Sequence, residues 1–111
     1  MEPLEIARKA RDVLLSKKGE ETLIFDIRGV SQVTDYYVIT SGLTSPQLKA
    51  MMNGIQKELK QSDVNCHHRS GVPEDGWIVL DYLDVVIHIF QKELRDYYAI
   101  EELWAGSLRV K

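Results

Sequence analysis

Residues 77–90 read WIVLDYLDVVIHIF. Two runs rich in β-branched and aromatic residues, Trp77 to Tyr82 and Val85 to Phe90, are separated only by Leu83-Asp84, which is the spacing of a β-hairpin. Each run is apolar on successive positions rather than alternate ones. Strands of that kind are covered on both faces, so the hairpin predicts a sheet flanked by helices rather than one open to water.

Working outward from the hairpin, the tail KELRDYYAIEELW (residues 92–104) is rich in helix formers. Leu94, Tyr97, Tyr98, Ile100 and Trp104 spread over a wide face, which predicts a last helix with a break near Tyr98. Upstream, residues 62–76 are polar and turn-rich, with NCHHR as a short strand and SGVPEDG as a loop. Before them Leu48, Met51, Met52, Ile55 and Leu59 recur at steps of three and four behind Thr44-Ser45-Pro46, a helix entry with a hydroxyl cap and an early proline. Gly54 inside this helix costs roughly 1 kcal/mol relative to Ala, which suggests close approach to a strand. TLIFDI (residues 22–27) and YYVITS (residues 36–41) read as two strands. A first amphipathic helix opens at Pro3, carries Leu4, Ala7, Ala10, Val13 and Leu14 inward, and stops at Gly19. The order helix, strand, strand, helix, two or three strands, helix predicts one small α/β domain, residues 1–111, with a mixed β-sheet flanked by helices.

Composition narrows the function. The chain has 111 residues, 44% hydrophobic and 28% charged, with 14 Lys+Arg against 17 Asp+Glu. A chain of this size can bury somewhat over ~60% of its unfolded surface in one core without staples. The net charge of −3 argues against unaided binding along a nucleic-acid backbone, so little direct nucleic-acid contact is expected and a basic protein is the better partner. A lone cysteine, Cys66, and a charged N-terminal stretch without a signal-peptide core point to the cytoplasm. No apolar run approaches the ~18 residues of a membrane span.

Several residues invite chemistry and do not complete it. Cys66, His67 and His68 are adjacent, and neighbours on a strand face opposite ways, so they make a poor metal set and no metal is expected. His88, within an apolar run, reads as a neutral histidine satisfied by a backbone or carboxylate partner. Asp26, Asp35, Asp81 and Asp84 suggest Mg²⁺-dependent phosphoryl transfer, yet no pair two residues apart on a strand follows a Gly-Ser turn. Asp81 and Asp84 bracket a turn, which is ordinary aspartate behaviour. Neither phosphate-binding glycine loop nor nucleophile elbow is present, so no cofactor is expected. What stands out is the aromatic and acidic second half: Trp77, Tyr82, Phe90, Tyr97, Tyr98 and Trp104 interleave with Asp81, Asp84, Glu93, Asp96, Glu101 and Glu102. Any single ring is more often packing than interface. Together they suit a basic protein, since rings fill pockets while acids orient the approach.

Three segments carry a resemblance. DIRGVSQVTDYYVITSG (residues 26–42), SPQLKAM (residues 45–51) and GWIVLDYLDVVIHIFQKELRDYYAIEELW (residues 76–104) together resemble the ribosomal silencing factor family, the Iojap-like proteins. The resemblance implies a nucleotidyltransferase-like α/β fold without the catalytic acids. It also implies a non-enzymatic repressor that binds the universal large-subunit ribosomal protein fourteen and blocks joining of the subunits when nutrients are scarce. The implied contact residues are Trp77, Tyr82, Leu83 and Asp84 in the hairpin, with His88 and Tyr98 beside them. Arg95, Tyr97 and Trp104 match family positions that also suit a scaffold role. The family usually has glycine where this chain has Leu83, so a positive φ there would be strained. A nucleotide-binding or nucleotidyl-transferring enzyme is the rival reading, and a homodimer through the aromatic face is a third.

Overall fold

A computed structural model describes residues 1–104 and 106–110. Among them are three α-helices, α1 (Pro3–Ser16), α2 (Ser45–Lys60) and α3 (Lys92–Tyr98). Six strands accompany them: β1 (Glu20–Asp26), β2 (Tyr36–Gly42), β3 (His68–Ser70), β4 (Trp77–Asp81), β5 (Val85–Gln91) and β6 (Leu108–Val110). They form one mixed sheet in the order β3-β4-β5-β2-β1-β6. Only β2 and β5 run parallel, with Tyr36 opposite Val85. The predicted β4–β5 hairpin is present, Trp77 facing Phe90 and Asp81 facing Val86. No helix among the described residues is long and apolar enough to cross a membrane.

The strand alternation sorts the core into two layers. On one face, Ile24, Val38, Ile78, Leu80, Ile87 and Ile89 meet the apolar stripes of α1 and α2. On the other, Phe25, Tyr37, Ile39 and Phe90 lie under Leu94, Ile100 and Trp104 from α3 and the 3₁₀ turn Ile100–Trp104. The break expected near Tyr98 falls at Ala99, whose φ of 45° is left-handed and ends α3.

Local chemistry places several ends differently from expectation. α1 stops at Ser16; Lys18, not Gly19, takes the left-handed conformation (φ 66°). The Gly19 and Lys18 amides then bond the Leu14 and Leu15 carbonyls, satisfying groups the last turn leaves free. Gly19 serves close packing instead, because a Cβ there would lie 2.5 Å from Thr40 Oγ1. Gly54 likewise permits close approach, but to a helix: a Cβ would lie 2.9 Å from Val13 Cγ1 of α1. β1 begins two residues before the expected Thr22 because a bulge between Glu20 and Leu23 extends its pairing. β6 was not anticipated, and NCHHR contributes a strand only from His68.

One buried cation ties the second layer down. Arg95, 2% exposed, donates from Nε to Glu101 Oε2 at 2.8 Å and from Nη1 to the Glu21 and Glu20 carbonyls at 2.8 and 3.2 Å. Those carbonyls belong to the bulge, where Glu21 has φ 48°. Arg95 thus links α3, the 3₁₀ turn and β1, which marks it as scaffold.

Candidate functional site

The expectation that both faces of the hairpin are covered holds for Ile87 to Phe90 of β5, leaves Val86 half-buried, and fails for β4. Ile78 and Leu80 are buried against α2, whereas Trp77, Val79 and Asp81 on the opposite face are only half-buried. The reason is reach: α3 lies over the sheet near Trp77 and the cover ends there. What remains is a cleft of about 510 Å³ lined by Ser70, Gly71, Asp75, Val79, Leu94 and the rings of Trp77 and Tyr98.

Trp77 organises this face. Its ring packs 4.8 Å from Phe90 and 5.2 Å from Tyr98, and its Nε1 donates to His88 Nδ1 at 3.0 Å. His88 in turn stacks on Tyr37 at 4.6 Å, so a row of rings crosses β4, β5 and β2. Burial pulls the His88 imidazole down to about 4, and it is neutral near neutral pH. The expected satisfied histidine is found, with an indole as its partner in place of a carboxylate or backbone group. Burial also pushes the Tyr37 phenol above its ordinary range.

The hairpin tip is the second part of the site. Leu83 has φ 71°, and the Asp84 amide bonds the Tyr82 carbonyl at 2.9 Å, closing a three-residue γ-turn on a non-glycine residue. Asp81 Oδ1 accepts the Leu83 amide at 2.8 Å and helps hold that turn. The Asp84 carbonyl accepts the Asp35 and Tyr36 amides at 2.9 and 3.0 Å, which brings the loop between β1 and β2 beside the tip. Leu83 is 56% exposed there, and Val30 and Val33 of the neighbouring loop are 65% and 88% exposed. One end of the sheet therefore presents apolar side chains among Asp35, Asp81 and Asp84.

The six residues picked from sequence separate into three places. Trp77, His88 and Tyr98 come together on the half-covered face, and Leu83 and Asp84 form the tip. Tyr82 points the other way, into the helix-facing core at 6% exposure. His88 is 8% exposed and lies beneath Trp77, so neither it nor Tyr82 offers much surface. Val30, Val33 and Asp35 were missed as contact candidates. Val30 and Val33 are exposed apolar residues in the loop between the two predicted strands, Asp35 drew notice only as a candidate metal carboxylate, and their place beside the tip follows from the parallel β2–β5 pairing.

The groups that suggested catalysis have other partners. Asp26 takes a two-point ion pair from Arg28, at 2.9 Å from Nε and 2.7 Å from Nη2, which holds its carboxyl below the usual range. The Cys66 thiol donates to the His68 and Asp81 carbonyls, and burial pushes it up. His67 and His68 are exposed. Among the described residues no three His, Cys, Asp or Glu side chains converge as a metal set.

Comparison with known proteins points one way. The family model described as ribosomal silencing factor during starvation matches residues 1–111. Ribosomal silencing factor RsfS of Bacillus subtilis is 35% identical over 104 residues, covering 94% of this chain and 86% of that protein. A mouse relative named mitochondrial assembly of ribosomal large subunit protein 1 is 28% identical, covering 83% of this chain and 42% of its own length. A crystal structure of a protein from Chromobacterium violaceum superposes with a TM-score of 0.90 at 31% identity, covering 100% of this chain and 92% of that one.

Proposed function

Because the chain belongs to the ribosomal silencing factor family, a group of non-enzymatic ribosome-binding regulators, we propose that it represses translation by docking on universal ribosomal protein fourteen of the large subunit. The docking end is the hairpin tip. Leu83 supplies the apolar contact, Asp84 with Asp35 and Asp81 orients a basic partner, and the Trp77–Tyr98 cleft receives side chains along the flank. Tyr82 and His88 act beneath this surface by fixing the strand and the indole. The observation that carries the reading is the exposed apolar tip at Leu83 with Asp35, Asp81 and Asp84 beside it.

No bond need be broken for such a protein to work. A body measuring 33 × 33 × 23 Å, seated where the small subunit docks, excludes it by volume alone. The site of action is the cytoplasm, and nutrient shortage is the condition in which repression is useful.

Co-sedimentation with purified large subunits, followed by a subunit-joining assay, tests this directly. Joining should fall as the protein saturates the large subunit, and isolated ribosomal protein fourteen should compete it away. Normal joining with the protein fully bound would sink the proposal. Saturable binding of ATP with Mg²⁺ in calorimetry would revive the enzymatic rival.

A further inference from the structure

Charge is unevenly spread over this fold. Residues 1–18 and 45–60, which contain α1 and α2, carry eight of the 14 basic and four of the 17 acidic side chains. The helical layer is thus net positive by four and the rest of the chain net negative by seven. On α2 the separation is sharper still. Lys49, Asn53, Lys57 and Lys60 are all exposed, and steps of four, four and three place them in one stripe along its outer face. The one acid of this helix, Glu58, turns toward α1 and pairs with Lys9 at 3.5 Å. Among the described residues none of the three stripe lysines has a carboxylate within ion-pair distance.

The stripe runs to the docking end of the molecule. Beyond Lys60 the chain turns at once, the Val64 amide bonding the Leu59 carbonyl, and the His67 amide then bonds the Asp81 carbonyl at the foot of the hairpin. Val64 and Cys66 pack on the core cluster that contains Tyr82. Lys57 and Lys60 therefore flank the same end of the sheet as Leu83 and Asp84, while Lys49 lies farther along the helix.

We infer that this lysine stripe is a second contact surface, one that meets the phosphate backbone of ribosomal RNA next to the protein partner. The inference rests on the docking reading above. A helix C-terminus favours cations, which accounts for Lys57 and Lys60 without a partner. It does not account for Lys49 near the other end or for the acid-free face. The whole-chain charge of −3 weighs against binding RNA unaided. It does not weigh against a local contact made after docking, because the tethered stripe then meets phosphate at high effective concentration. Ribosomal RNA is the fitting occupant: it is the polyanion surrounding any ribosomal protein, and each lysine displaces condensed counterions when it pairs with phosphate.

The test compares two targets with one variant. Lys49→Gln/Lys57→Gln/Lys60→Gln should bind intact large subunits about tenfold more weakly at low salt, with a log–log salt slope shallower by about 2–3. Its binding to isolated ribosomal protein fourteen should match the wild type. A thermal melt checks the fold, and if the triple variant is destabilised Lys49→Gln alone should weaken subunit binding less and make the slope shallower by about 1. Unchanged affinity and slope on subunits would overturn the inference. So would an equal loss on the isolated protein, since the stripe would then contact protein and not RNA. Failure of the wild-type chain to bind either target would overturn the docking reading itself, and the inference with it.

Discussion

Trp77 Nε1 donates to His88 Nδ1 at 3.0 Å, and that bond couples β4, which carries the cleft, to the more deeply buried β5 paired beside it. It sets the tautomer: a ring nitrogen that accepts carries no proton, so His88 holds its proton on Nε2. Protonating Nδ1 would turn the acceptor into a donor aimed at another donor. The indole would then lose the partner that orients it beneath Tyr98.

A pH dependence follows. The folded-state value of about 4 lies below the ordinary 6.5, so between them the unfolded chain binds the proton and the folded chain does not. Stability from this group is complete above about pH 6.5 and is lost progressively as pH falls toward 4, to a total of about 3 kcal/mol. Chemical denaturation of the wild type and of His88→Gln at pH 7.5, 5.5 and 4.5 measures it. The difference in stability between the two should shrink on acidification, and a constant difference would contradict the assignment.

Leu83→Gly should separate stability from docking. A non-glycine residue at φ 71° costs roughly 1–2 kcal/mol, part of which glycine returns as unfolded-state entropy, leaving a net gain of about 0.5–1 kcal/mol. The melting temperature should rise by a few degrees. Binding to the large subunit should weaken, because the 56% exposed side chain is the apolar contact at the tip. A variant with both properties improved would remove Leu83 from the contact surface.

Arg95→Met tests the scaffold role of the buried cation. Removing the guanidinium leaves the Glu20 and Glu21 bulge carbonyls and the Glu101 carboxylate without their donor, a loss of about 3 kcal/mol. Hydrogen exchange should show lost protection first in α3 and the 3₁₀ turn after it. Uniform loss through β2 and β5 would mean that the second layer does not open separately.

Legibility from sequence followed the range of the physics. The β4–β5 hairpin and the α2 stripe were readable because two-residue loops and a 3.6-residue period are local signals. Three-residue β6 has one half-buried position, too short a pattern to register. The fit of Gly54 against Val13, the Arg95 clamp on the bulge and the seating of Asp35 beside Asp84 all join distant segments, so no window of sequence holds both partners. Leu83 is the reverse case. The glycine that the resemblance implies at this position left a strained positive φ or a different turn open, and the backbone takes the positive φ despite the side chain.

Asp84→Lys and Trp77→Ala together discriminate interface from scaffold. Asp84 is exposed and contributes to the fold through its backbone, whose amide and carbonyl the substitution leaves in place. Its melting temperature should stay within a few degrees of wild type, while reversing a charge beside Asp35 and Asp81 slows association with a basic partner and flattens its salt dependence. Trp77 is half-buried between Phe90 and Tyr98 and holds His88, so its truncation should cost about 2–3 kcal/mol as well as docking. Stopped-flow association rates with large subunits at several salt concentrations, read beside thermal melts, give both quantities. The tip is the docking element only if Asp84→Lys loses association rate without stability; the opposite pattern would place the contact on the cleft face around Trp77.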